Sequence, residues 1–153
     1  MPKIAYLNSK YVNFSKAKIH IEDRGLQFSD SVYEVVSVYN YKLVDFKFHI
    51  KRLKFSLNEL DIKYVVNILK LKKIFEKLII LNKINSGIIY LQITRGVQPR
   101  KHSYNDKYIP NVIIYGWKQK FNLPGNYLKG KKAITLKDLR WKRRDIKSVS
   151  LLA

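Results

Sequence analysis

The spacing of apolar residues changes twice along this chain, dividing it into strand, helix and strand regions. Over the first 44 residues the apolar positions come in short runs with a period near two. Ile4–Leu7 and residues 11–14 read as a strand pair around the turn-forming Asn8-Ser9-Lys10. Residues 17–21 alternate in the same way and are expected to form a further strand. Residues 32–39 are rich in β-branched and aromatic side chains, which suits a central strand. Asn40-Tyr41 then turns the chain into a short partner at 42–44. From there Phe46, Ile50, Leu53, Leu57 and Leu60 recur at intervals of three and four, the pattern of one helical face. Asp45 stands where an N-cap is needed. A second helix is expected with Val65, Ile68, Leu71, Phe75, Leu78 and Ile79 on its buried stripe, ended by Asn85-Ser86-Gly87. Strands return at 88–94, 111–117 and 132–136.

This order predicts an α+β fold, a largely antiparallel sheet carrying two helices on one face. Residues 1–138 are expected to make one N-terminal α+β domain. Residues 139–153 read as a segment leading out of it, because Val149, Leu151 and Leu152 begin an apolar element that needs a packing partner. Either that segment docks back on the domain, or it is the start of a C-terminal domain that has been lost or removed.

Composition narrows the class of protein. With 46% hydrophobic and 13% aromatic residues the chain can build a core, so extensive disorder is excluded. It has no cysteine, hence neither a disulfide framework nor a thiolate metal site, and no metal centre is expected. The N-terminus lacks the apolar stretch of a signal peptide, and runs such as Leu78-Ile79-Ile80-Leu81 are too short to span a bilayer. A cytoplasmic protein without membrane contact is the expectation. The net charge of +20 would attract nucleic acid. Lys, Ile, Asn and Tyr all have codons rich in A and T, however, and a biased genome makes basic proteins without any polyanionic partner. The charges are also scattered, with few runs longer than Lys142-Arg143-Arg144. A basic nucleic-acid-binding domain is kept only as the distant alternative.

Five segments carry the chemistry: Glu22-Asp23-Arg24-Gly25-Leu26-Gln27-Phe28; Asp30-Ser31-Val32-Tyr33-Glu34-Val35-Val36; His49-Ile50-Lys51-Arg52-Leu53; Ile89-Tyr90-Leu91-Gln92-Ile93-Thr94-Arg95-Gly96 with Pro99-Arg100-Lys101-His102; and Asp145-Ile146-Lys147-Ser148. In order and spacing they resemble the class IV (fold-type IV) aminotransferases, which use pyridoxal 5'-phosphate, and most closely their D-amino acid branch. The resemblance runs over essentially the whole chain, which covers about the first half of such an enzyme.

The resemblance implies a role for each matching residue. Lys147 corresponds to the Schiff-base lysine, the catalytic residue, which supplies a primary amine and then carries a proton. Read alone, a lysine in so basic a chain is a solvated surface charge. Arg52 corresponds to the arginine that grips the cofactor phosphate through its planar fork of donors. Taken locally it is a charge on the polar side of its helix, with His49 one turn before it and not assigned a catalytic role. Tyr33, Arg100 and His102 correspond to the group that captures the substrate carboxylate. Arg100 and His102 are two residues apart, so an extended backbone aims them to the same side. Core packing of Tyr33 and solvent exposure of Arg100 and His102 are the ordinary alternatives. The Pro99-Arg100-x-His102 arrangement favours the D-amino acid branch over branched-chain aminotransferases and aminodeoxychorismate lyases.

The implied reaction is amino transfer between a D-amino acid such as D-alanine and a 2-oxo acid such as 2-oxoglutarate. The implied assembly is a homodimer in which Arg100 and His102 come from the neighbouring subunit. Two departures matter. Serine stands at positions 29 and 31, where family members usually carry glycine, so any positive φ there is strained. Only six residues follow Lys147. In the family, the missing C-terminal domain holds the carboxylate for the pyridine nitrogen and most of the phosphate loops. The chain alone is therefore expected to turn over little or nothing. A separate C-terminal chain that completes it, or a non-catalytic remnant, are the two readings of that ending.

Overall fold

The computed structural model of the chain describes residues 2–105, 107–121, 132–135 and 144–150. Six strands form one antiparallel sheet: β1 (Ile4–Leu7), β2 (Lys10–Asn13), β3 (Ser31–Tyr39), β4 (Lys42–Leu43), β5 (Ser86–Thr94) and β6 (Asn111–Lys118), in the order β2-β1-β6-β5-β3-β4. Among the described residues three α-helices accompany it, the short α1 (Arg24–Phe28), α2 (Phe46–Glu59) and α3 (Ile68–Leu81), with a 3-10 turn at Phe14–Lys16. The α+β reading therefore stands.

The sheet is two-sided because side chains alternate along each strand. Val32, Glu34, Val36 and Val38 of β3 point to the helix side and are buried, as are Ile89, Leu91 and Ile93 of β5 and Ile114 of β6. Ile50, Leu53 and Leu57 of α2 and Leu71, Phe75, Leu78 and Ile79 of α3 close the core over them. The opposite face carries half-buried rings. Tyr33 stacks on Tyr90 at 5.8 Å, Tyr90 meets Tyr115 at 5.2 Å, and Tyr115 stacks on Trp117 at 5.6 Å. No helix among the described residues is long and apolar enough to cross a membrane.

Several expectations are corrected. Residues 17–21 form no strand. They pair with no strand of the sheet, and Ile21 stays exposed. Of 132–136, residues 132–135 have no regular structure and position 136 lies outside the described residues, as do Leu151 and Leu152. Val65 and Ile68 are not on a buried stripe, because α3 begins only at Ile68 and the two are 92% and 42% exposed. Asp45 stands at the head of α2 but has a left-handed backbone (φ 51°), so its carbonyl, not its carboxylate, accepts from Phe48 and His49. Asn67 does cap α3, its side chain accepting from the Lys70 N–H at 2.9 Å. Ser86 and Gly87 already belong to β5, because the chain turns earlier, at Asn82-Lys83.

The two serines differ in cost. Ser29 ends α1 in the left-handed region at φ 54°, a conformation that costs a non-glycine residue roughly 1–2 kcal/mol. Ser31 opens β3 in extended backbone, and its hydroxyl accepts from the Gln92 amide at 3.0 Å. Ser29→Gly is therefore expected to stabilise the chain by about 0.5–1 kcal/mol, the gain being cut by glycine's extra unfolded-state entropy. Ser31→Gly should not stabilise it. Urea denaturation of the two variants measures the difference.

Candidate active site

The site is organised by one edge of β3. Its far end pairs with β4 through Val38 and Tyr39, which leaves Ser31–Tyr33 open on that side. Residues 147–149 occupy the open edge in antiparallel register. The Tyr33 N–H donates to the Lys147 carbonyl at 3.0 Å, the Val149 N–H donates to the Ser31 carbonyl at 3.2 Å, and Val32 pairs with Ser148. The Lys147 N–H in turn donates to the Ser56 hydroxyl of α2 at 3.0 Å. The main chain of Lys147 is thus pinned on both sides, to a strand and to a helix. Its Nζ lies 4.1 Å from the centre of the Tyr33 ring, within cation–π range.

On α2, His49, Arg52 and Ser56 fall at i, i+3 and i+7, one side of the helix. Ser56 therefore brings Lys147 and Arg52 to the same edge of the domain. Glu34, the residue after Tyr33, points to the helix side and is 1% exposed. Arg52 grips it with two bonds, Nε to Oε1 and Nη2 to Oε2, both 2.7 Å. His49 Nδ1 lies 2.7 Å from the same Oε2. The hydrogen bond to Glu34, opposed by burial and aided by that carboxylate's field, holds the Arg52 pKa above its ordinary value. Arg52 is thus a permanent cation whose side chain remains 45% exposed.

Arg100 and His102 lie elsewhere. Both are exposed and flank one ring, Arg100 5.1 Å and His102 5.7 Å from Phe28. Among the described residues no hydrogen bond, ion pair or ring contact joins either to Tyr33 or Lys147. Their loop is held by Arg24, whose guanidinium donates to the carbonyls of Lys101 at 2.8 Å and His102 at 3.3 Å. Arg24 shares the Asp30 carboxylate with Arg95, at 2.9 and 2.7 Å. Arg95 also donates to the carbonyls of Leu60 and Asp61 and lies 3.7 Å from the Tyr104 ring. Burial works against the Arg95 charge, yet the hydrogen bond and field of Asp30 raise its pKa above the ordinary value.

The sequence motifs contain Glu34, Asp30, Arg24 and Arg95 but give them no work. A signal is present for Glu34: a carboxylate between Tyr33 and Val35-Val36 in a β-branched run must be buried, and buried carboxylates are paired. Ser56 gives no signal at all. Nothing local distinguishes a serine that accepts from a residue 91 positions away.

An antiparallel sheet backed by two helices, with Lys147 docked at its edge beside an anchored arginine, defines a class. Residues 31–153 match the amino-transferase class IV family, and the chain belongs to it. Among its relatives, the D-alanine aminotransferase of Staphylococcus aureus (strain MSSA476) is 37% identical over 153 residues, covering 99% of this chain and 54% of that protein. The D-alanine aminotransferase of Listeria monocytogenes serotype 1/2a (strain 10403S) is 40% identical over 148 residues, covering 95% and 51%. The chain spans about half the length of the curated relatives it matches. The solved branched-chain amino acid aminotransferase of Escherichia coli has a TM-score of 0.74 over 82% of this chain and 43% of that one, at 21% identity. That likeness shows the fold.

Proposed function

We propose that this chain is the N-terminal portion of a pyridoxal-phosphate-dependent D-amino acid aminotransferase, acting on D-alanine and 2-oxoglutarate or close analogues. The observation that carries the reading is the pinning of Lys147 against Tyr33 and Ser56 at the edge shared with Arg52. The two relatives named D-alanine aminotransferase support this substrate class over the branched-chain one.

The donor set fits the cofactor. Lys147 offers a primary amine on a fixed main chain, and Arg52 offers a half-exposed guanidinium suited to a phosphate. Pyridoxal phosphate, when bound, supplies an aldehyde and an electron-withdrawing ring. Lys147 is the nucleophilic amine and afterwards takes and returns a proton at Nζ, for which it must be neutral. Arg52 binds and orients through the phosphate. Tyr33 faces Lys147 and donates to a substrate carboxylate. Arg100 and His102, set against Phe28 away from Lys147, complete that carboxylate site from a second copy in a homodimer.

The test is amino transfer from D-alanine to 2-oxoglutarate, assayed with the chain alone and with the C-terminal half of the Listeria monocytogenes relative added as a second chain. The expected result is turnover only with both halves, at least about tenfold faster with D-alanine than with L-leucine, which corresponds to about 1.4 kcal/mol of discrimination. Preference for L-leucine would replace the D-amino acid reading with the branched-chain one. No transfer from either donor would defeat the enzyme reading.

A further inference from the structure

We propose that Glu34 is a positioning residue for anion recognition: it fixes the Arg52 guanidinium so that its Nη1 end is presented to a phosphate monoester before the ligand arrives. The inference rests on the reading of Arg52 as a phosphate contact and adds a residue to which no role has been given.

Three observations carry it. The contact is a planar fork, with Nε on Oε1 and Nη2 on Oε2 at the same 2.7 Å, which fixes the guanidinium's plane as well as its position. Burial is unequal across the pair: the Glu34 side chain is 1% exposed and that of Arg52 45%. The carboxylate is the anchor and the guanidinium reaches outward from it. Finally, Nη1 makes no hydrogen bond among the described residues, while the Nε–H and one Nη2 N–H are committed to Glu34. His49 sits on Oε2 at 2.7 Å and 3.4 Å from Arg52 Nη2, closing the remaining side of the carboxylate.

The physical gain is preorganisation. An arginine free in solvent loses much of its rotamer freedom when it clamps an anion, and that loss weakens binding. Glu34 imposes that order in advance. The phosphate then meets a guanidinium already aimed at it, whose positive charge is partly offset by a carboxylate on the far side. A pair that served only to neutralise a buried Glu34 would have no such effect on ligand discrimination.

The experiment compares pyridoxal phosphate with pyridoxal, which lacks the phosphate, by absorbance titration of the chain and of Arg52→Met, Glu34→Gln and Glu34→Asp. Arg52→Met is expected to abolish the preference for the phosphorylated ligand, which calibrates the phosphate contact. Glu34→Gln should weaken pyridoxal phosphate about five- to tenfold and leave pyridoxal unchanged. Glu34→Asp keeps the charge but is one methylene short of the fork, and is expected to behave the same way. Should both Glu34 variants keep the native preference while Arg52→Met loses it, positioning by Glu34 is overturned and the phosphate reading survives. If the native chain does not prefer the phosphorylated ligand, the reading of Arg52 itself falls.

A second measurement needs no buried substitution. In the unliganded native chain the Arg52 Nε–H, assigned by its loss in Arg52→Lys, is expected to give a protected nitrogen–proton signal that persists on adding inorganic phosphate. A signal exchanging as fast as those of solvent-exposed arginines would overturn the proposal even if neither Glu34 variant folded.

Discussion

Asp30→Asn is expected to destabilise the chain by about 3–5 kcal/mol, the cost of removing one partner from a buried ion pair. Asp30 is the shared anion of Arg24 and Arg95, whose side chains are 5% and 3% exposed. Asparagine keeps the shape and one acceptor but leaves two guanidinium charges in the interior without a counter-ion. The surrounding carbonyls of Leu60, Asp61, Lys101 and His102 satisfy the arginines' hydrogen bonds, and they do not neutralise the charge. Asp30 also ties main chain to main chain, accepting from the Arg95 N–H through its carbonyl and donating to the Arg24 carbonyl. Those main-chain bonds survive the substitution, but the side-chain anchor of Arg24 does not, and Arg24 holds the carbonyls of Lys101 and His102, so the loop carrying Arg100 and His102 should loosen before the sheet fails. Urea denaturation followed by tryptophan fluorescence gives the stability, and amide exchange at 100–105 reports the loop. A loss below about 1 kcal/mol would place the two arginines in contact with water and refute the buried cluster.

Pyridoxal phosphate is expected to give a saturable, one-to-one absorbance band with the native chain, and Lys147→Ala is expected to eliminate that band completely. Alanine at Lys101, an exposed lysine close in sequence to Arg100, should leave it unchanged. A chain with this many lysines reacts weakly with any aldehyde, and such adducts accumulate without saturating. Lys147 differs because its main chain is held from two directions, by Tyr33 of β3 and Ser56 of α2. Ser56→Ala removes one of those holds and should weaken binding about two- to tenfold, the net worth of one hydrogen bond. Retention of the band in Lys147→Ala would mean that another amine is the reactive one.

The match between pattern and structure follows from which forces are local. The strands and both long helices are readable because a buried face imposes its own period on the chain, two for β3 and β5, 3.6 for α2 and α3. The failures have a shared cause. Residues 17–21 alternate as a strand should, but alternation makes a strand only where the chain meets a partner, and these residues pair with no strand of the sheet. Val65 fits the helical stripe, but α3 begins where Asn67 caps it.

For the site, residue types and spacing alone, through a family resemblance, singled out Lys147, Arg52, Tyr33, Arg100 and His102. They also marked Ser29 as a place where glycine is the easier residue, and its φ of 54° gives the reason. Tertiary structure alone decided how these residues are held. Glu34 pairs with Arg52 across 18 positions, Ser56 with Lys147 across 91, and Arg24 with the loop carbonyls at 101 and 102 across 77 and 78. A periodic pattern records which side of an element is apolar. It holds no record of which buried polar group on one element will satisfy which donor on another, because that choice is made only when the desolvated groups meet.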